Sequence, residues 1–101
     1  MQIRYLSGII CPMLTAINDR GELDELGVCR LADFLLDRGV SALFPGGTNG
    51  EGMLLTLDER KRLCTVVVKH VGAQAPVIMH TGCVSTNETI DLTRQARDAG
   101  A

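Results

Sequence analysis

A strand-like segment followed by a helix-like segment occurs three times along this chain. The short apolar runs lie at residues 9–15, 40–44 and 75–79, and each precedes a longer amphipathic stretch. The second and third runs are largely apolar rather than alternating, which is typical of parallel strands that are covered on both faces. Repeated strand–helix units of this kind predict an α/β fold with a parallel sheet and helical crossovers.

Each predicted helix has a start signal and a stop signal. Asp24 is a good N-cap for the first helix, which we expect to end before Gly39. The other two helices are predicted over residues 56–72 and 85–100. Both begin with a hydroxyl residue that is followed three positions later by glutamate, which predicts a capping box, and both end at a glycine.

The strand–helix order leads us to expect a fourth strand after Gly100, but the sequence ends at Ala101. A three-stranded parallel sheet would leave two open edges and would be marginal alone. We therefore expect residues 1–101 to be the N-terminal part of one larger domain, truncated before its fourth strand. A complete small domain is the alternative.

Composition excludes several classes of function. The net charge is −2 and the basic residues are scattered, so we expect no nucleic-acid partner and no membrane partner. No apolar window is long enough for a transmembrane helix, and residues 1–6 do not resemble a signal peptide.

Cysteine and histidine spacing argues against a metal site. The four cysteines form no C-x-x-C pair, and there are only two histidines, His70 and His80. We expect no metal and no cofactor, and we interpret the cysteines as small buried residues of a cytoplasmic protein.

The sequence PGGTNGEG at residues 45–52 places four glycines between the second strand and the second helix. Ligand sites in parallel α/β folds lie at the carboxyl ends of strands. Glycines let backbone amides approach an anion, and Thr48 and Asn49 could hold a carboxylate or a carbonyl oxygen. The loop matches neither the P-loop nor the dinucleotide-binding pattern. A tight turn without a ligand is the alternative from spacing alone.

The chain resembles the dihydrodipicolinate synthase and N-acetylneuraminate lyase family. The resemblance is carried by GGTNGEG at residues 46–52 followed by LLTLDER at 54–60, and by the segments 8–24 and 77–86. It implies a (β/α)8 TIM barrel, a fold of about 250 residues, of which this chain would supply the first three βα units. It also implies a class I aldolase or lyase that forms a Schiff base with pyruvate or a related 2-oxo acid, and a homo-oligomer at full length.

In this family the Schiff-base lysine lies on the sixth strand and a catalytic tyrosine follows the fourth, so both would lie beyond Ala101. Lys61 and Lys69 fall on the second predicted helix and Tyr5 precedes the first strand, so none of the three matches a catalytic position. We therefore expect the 101-residue chain alone to be inactive.

The resemblance assigns roles to a few residues of the loop. Thr48 matches the residue that hydrogen-bonds the catalytic tyrosine and relays protons. Asn49, where many members have threonine, would hold the pyruvate carboxylate, and Gly47 would allow close approach. Glu51 is expected to accept backbone amides rather than to act as an acid or base. His80, at the end of the third strand, either contacts substrate or is a packed rim residue.

The sequence departs from the family at the end of the first strand, where residues 15–17 read TAI instead of Thr-Pro-Phe or Thr-Pro-Met. His70 is expected on the surface near a helix C-terminus.

Two other functions are alternatives to the aldolase or lyase. One is an assembly module that associates through open strand edges, and the other is a domain that binds phosphate with the same loop.

Overall fold

The computed structural model describes residues 6–101, so Tyr5 and most of the N-terminal segment 1–6 lie outside the described residues. The elements follow the predicted order for two units and part of a third. In chain order they are β1 (Ile10–Pro12), α1 (Glu25–Asp37), β2 (Ala42–Phe44), a 3₁₀ turn (Gly52–Leu54), α2 (Leu57–Val71) and α3 (Thr86–Ala99).

The two strands are parallel, as the apolar runs predicted. Ile10 lies opposite Ala42, and Pro12 lies opposite Phe44. The pairing extends one step further, because the Met13 N–H donates to the Phe44 carbonyl at 3.0 Å. The chain is therefore an α/β structure with two parallel strands.

The third predicted strand is wrong as a regular strand, since segment 75–79 makes only one parallel bridge, Leu43 to Val77. Hydrogen bonds run from the Leu43 N–H to Pro76 at 3.1 Å and from the Ile78 N–H to Leu43 at 2.9 Å. The next bond of the ladder would need an N–H at Pro45, which proline lacks. The ladder resumes only where the His80 N–H donates to the Pro45 carbonyl at 3.1 Å.

The helix termini largely follow the predicted signals. At α2, Thr56 and Glu59 form the complete capping box, and at α1 the Asp24 side chain accepts from the Gly27 N–H. At α3 only half of the predicted box is present, because the Ser85 side chain accepts from the Glu88 N–H without the reciprocal bond.

The core lies between the sheet and the helices, and α2 is central because it packs against both α1 and α3. Val28, Leu43 and Val67 are fully buried there. The buried cluster that holds these elements together comprises Met13, Val28, Ala32, Leu43, Leu63, Val66, Val67, Val71, Ala75 and Val77. This packing fixes the carboxyl ends of the strands relative to the start of α2. Across residues 6–101, no helix has the length and apolar character needed to cross a membrane.

Candidate functional site at the carboxyl ends of the strands

The glycine-rich loop 45–52 leaves β2 at its carboxyl end and is tied both to itself and to the end of β1. The Gly52 N–H donates to the Gly47 carbonyl at 3.1 Å, which closes the loop. The Thr15 hydroxyl donates to the Gly50 carbonyl at 2.6 Å, which anchors the loop to the segment after β1. These hydrogen bonds therefore fix the conformation of the loop.

Two of its glycines are required by the backbone. Gly46 has φ +75°, a left-handed conformation that costs glycine nothing. Gly52 packs directly on the Gly46 carbonyl, so a β-carbon at Gly52 would collide with that oxygen and with the carbonyl carbon. The tight fold of the loop thus explains two glycines without a ligand.

Thr48 and Asn49 form the exposed tip of the loop. Neither their side chains nor their backbone N–H groups donate a hydrogen bond to any atom of residues 6–101. Two successive open amides beside a hydroxyl and a carboxamide are an arrangement that can bind an anionic oxygen. Of the predicted site residues in this loop, Thr48, Asn49 and Glu51 are exposed to solvent, whereas Gly47 is buried.

Gly47 is buried, and a β-carbon there would come within 2.8 Å of the Phe44 ring. The Phe44 ring in turn meets the His80 imidazole edge to face, with the two centroids 5.9 Å apart and the planes at 88°. The loop after β2 and the segment after the third apolar run are therefore in contact through packed rings. The predicted role of Gly47 in close approach to substrate stays a prediction.

Sequence reasoning missed Arg60 as a site residue. Its side chain is 2% exposed, and its guanidinium donates to segment 80–83. Nη1 donates to the Gly82 carbonyl at 2.7 Å and to the Cys83 sulfur at 3.3 Å. Nη2 donates to the His80 carbonyl and contacts His80 Nδ1, both at 3.0 Å.

A signal for Arg60 was present in the sequence. Arg60, Leu63, Cys64 and Val67 have the spacing of a single helix stripe, and all four are buried. A basic residue on an otherwise apolar stripe is rarely buried unless its charge is satisfied by specific partners. The pattern therefore marked Arg60 as a buried cation, although it did not identify the acceptors.

Glu51 does not behave as predicted. We expected its carboxylate to accept backbone amides, but within residues 6–101 it accepts none and it caps nothing. The side chain is exposed, so water can satisfy it, and the residue has a left-handed backbone with φ 52°. Its contribution here is to the turn rather than to a hydrogen-bond network.

The two lysines lie on α2, away from the loop. Lys61 Nζ is 2.7 Å from the Asp91 carboxylate on α3, and the hydrogen bond to Asp91 raises the pKa of Lys61. A Schiff-base lysine needs a lowered pKa to be a nucleophile, so this environment is opposite to what the chemistry requires. His70 lies on the surface as expected, with Nε2 2.8 Å from Asp33.

Within the part of the chain that the structure describes, no group of three or more histidine, cysteine or acidic side chains could hold a metal ion. The polar groups of this region include the Thr15 and Thr48 hydroxyls, the Asn49 carboxamide and the exposed Glu51 carboxylate. The Arg60 guanidinium donates through Nη1 and Nη2, while its Nε has no hydrogen-bond partner within residues 6–101. The hydroxyl and amide groups of Thr48 and Asn49 suit the binding of a small organic anion.

Parallel strands joined by helices place this chain in the class of α/β proteins, in which ligand sites commonly lie at the carboxyl ends of the strands. Within this class the comparison with known families is specific: residues 5–101 match the Dihydrodipicolinate synthetase family. The match covers almost the whole chain, so the chain belongs to this family. The resemblance carried by the glycine loop is confirmed.

Individual relatives agree with this assignment. The chain is 42% identical to 4-hydroxy-tetrahydrodipicolinate synthase of Heliobacterium modesticaldum, over 91% of this chain and 31% of that protein. The crystal structure of YagE from Escherichia coli K12 in complex with pyruvate superimposes with a TM-score of 0.93 at 38% identity, covering 97% of this chain and 33% of that one. N-acetylneuraminate lyase of Proteus mirabilis gives a TM-score of 0.87 at 31% identity, covering 92% and 32%.

The chain spans about a third of the length of each of these relatives. The matching third includes the glycine loop, Arg60 and segment 80–83, but it includes no lysine at a strand end. What these relatives bind or catalyse as whole proteins therefore enters only as a proposal for this chain.

Proposed function

We propose that residues 1–101 form the carboxylate-binding part of a Schiff-base-forming aldolase or lyase that acts on pyruvate or a related 2-oxo acid. In this proposal they are the first three βα units of a TIM barrel, and the protein at full length is a cytoplasmic homo-oligomer. The four cysteines are free, which suits a reducing compartment. The nucleophile would be supplied from residues outside this chain.

The observation that carries the proposal is the open tip of loop 45–52. Thr48 and Asn49 present two polar side chains at the carboxyl ends of the strands, and their two amides have no partner within residues 6–101. Thr15 and Gly52 hold the loop in place. A carboxylate bound there would be fixed without reorganisation of the loop, which is the positioning that catalysis requires.

The proposed chemistry divides the work between this chain and the missing lysine. The lysine amine replaces the carbonyl oxygen of the 2-oxo acid, which leaves as water, and the iminium then accepts the electron pair of the carbon–carbon bond that breaks. Residues of this chain would hold the carboxylate through Asn49 and the loop amides. The Thr48 hydroxyl would carry a proton between the reacting centre and a tyrosine from a later strand.

Titration with pyruvate, followed by amide NMR signals, tests this function. We expect shifts at the amides of residues 46–50, and smaller or no shifts with inorganic phosphate. Replacing Asn49 with alanine removes a hydrogen bond to a charged group, worth about 1.5–3 kcal/mol, and should weaken pyruvate binding by roughly 10- to 100-fold. Asn87→Ala, an exposed asparagine in the first turn of α3, is the matched control.

Two outcomes would contradict the proposal. Equal responses to phosphate and pyruvate at the loop would favour the phosphate-binding alternative. A stoichiometric borohydride-trapped pyruvate adduct on Lys61 or Lys69 would show that this chain has its own nucleophile, because the 101-residue chain is expected to form none.

Association through exposed apolar surface is a second candidate function. Leu54 and Val84 are 80% and 93% exposed, beside the loops at the carboxyl edge. Large exposed apolar residues favour association with another protein surface. Analytical ultracentrifugation distinguishes this candidate, since a well-behaved monomer of the 101-residue chain would argue against it.

A further inference from the structure

Arg60 is a buried cation that no carboxylate neutralises within residues 6–101. The ion pairs of the described residues involve other side chains, and its Nε has no hydrogen-bond partner there. A buried charge is costly unless its donors are satisfied. The remaining donors of Arg60 all go to one short segment, residues 80–83.

Carbonyl oxygens alone would suffice to anchor that segment, and Arg60 reaches two of them, at His80 and Gly82. The contact between Nη2 and His80 Nδ1 has a different consequence, because it determines which ring nitrogen of His80 carries the proton. A guanidinium can only donate, so Nδ1 must accept. A neutral imidazole that accepts at Nδ1 carries its proton on Nε2.

The orientation of the ring is fixed from two further sides. A β-carbon at Gly82 would come within 2.9 Å of His80 Cε1, so the ring packs directly on the Gly82 backbone. The Phe44 ring meets the imidazole edge to face on another side. Within residues 6–101, the half-buried His80 ring makes no hydrogen bond through Nε2.

We propose that Arg60 is a positioning residue that holds His80 in a single tautomer with the proton on Nε2. His80 then offers a hydrogen-bond donor at the carboxyl edge of the strands. The identity of a ligand that would accept a hydrogen bond from His80 Nε2 rests on the proposed function. The tautomer of His80 does not.

The test is a ¹⁵N NMR spectrum of the imidazole nitrogens in the protein at its natural length, with ¹⁵N-labelled histidine, in basic buffer and without ligand. The signals of His80 are those lost in His80→Gln. We expect the two ¹⁵N signals of His80 to be those of a single tautomer, with Nδ1 unprotonated and Nε2 protonated, and without averaging between tautomers. A protonated Nδ1, or fast averaging of both tautomers in the unmodified protein, would overturn the proposal without any variant.

Variants then isolate the part played by Arg60. Arg60→Met should convert the single pattern into an average of both tautomers, whereas Arg62→Met, on the same helix but paired with Glu25, should leave it unchanged. If Arg60→Met fails to fold by circular dichroism, Arg60→Lys replaces it. A lysine donates from one nitrogen and cannot serve all the acceptors that Nη1 and Nη2 reach, so averaging is again expected.

A folded Arg60 variant that keeps the single Nε2–H pattern would show that Phe44 and Gly82 position the ring without Arg60, and would overturn the proposal. These results are distinguishable from failure of the aldolase function. That function is tested by pyruvate at loop 45–52, and the tautomer is measured with no pyruvate present.

Discussion

Replacing Gly50 with alanine is expected to push loop 45–52 away from the end of β1. Gly50 does not have a positive φ, so alanine is compatible with its backbone conformation. The added β-carbon would meet the Met13 carbonyl oxygen at 2.8 Å, the Thr15 hydroxyl at 3.1 Å and the Gly46 nitrogen at 3.2 Å. The substitution therefore tests close packing separately from conformational freedom.

The size of the effect follows from these contacts. Ordinary contact begins at 3.4 Å, so the 2.8 Å contact with Met13 requires a movement of about 0.6 Å. Two of the three atoms belong to the backbone and cannot rotate away. Overpacking of this kind costs about 1–3 kcal/mol. The movement would also stretch the 2.6 Å hydrogen bond from Thr15 to Gly50.

Urea unfolding followed by circular dichroism measures this cost. With a slope of about 2 kcal/mol/M, the midpoint should fall by roughly 0.5–1.5 M. Met53→Ala, at an exposed site in the adjacent 3₁₀ turn, should change the free energy of unfolding by less than about 0.5 kcal/mol. If Gly50→Ala has the stability of the parent protein and the same loop amide shifts, the loop is not packed against β1 as described.

Three further predictions concern the helices. Thr56→Ala removes the capping box with Glu59 and should lower the free energy of unfolding by about 0.5–2 kcal/mol; an unchanged value would mean that the cap is not formed. The hydrogen bond from Arg62 lowers the pKa of Glu25 below its ordinary 4.5, so this pair stabilises fully above that pH and its contribution is lost as the pH falls through the lowered pKa. Glu25→Gln should remove that part of the acid dependence of urea unfolding, and an identical pH profile would contradict the pairing. Burial raises the pKa of the Cys64 thiol, so Cys64 should be alkylated only after unfolding; rapid labelling of the native protein, read by mass spectrometry, would refute its burial.

The helix boundaries were predictable because their determinants are local. Asp24, Thr56 and Ser85 cap the helices within one turn of their own position, and the glycines that stop the helices act through their own φ. The capping box predicted at α3 shows that local spacing does not determine every bond, because the hydrogen bond from the Ser85 N–H to the Glu88 carboxylate is not formed. The spacing of Ser85 and Glu88 permits the reciprocal bond, but an exposed carboxylate is also satisfied by water.

The third strand was harder to predict because its regularity depends on Pro45, a residue that directly follows another strand, β2. Segment 75–79 has the composition of a strand, yet Pro45 removes the N–H that would continue the ladder. Pro76 within the segment also lacks an N–H for the ladder, but the break after Ile78 is set by Pro45.

The sequence by itself determined the family, the order of the first two strand–helix units and the position of loop 45–52 at a strand end, because each of these depends on local patterns and motifs. Only the tertiary structure decided what the polar groups do. It left Thr48 and Asn49 open, turned Glu51 to solvent and brought Arg60 to His80. Arg60 and His80 lie 20 positions apart in the sequence, and the packing of α2 in the core brings them into contact. That packing is a property of the whole core rather than of either residue.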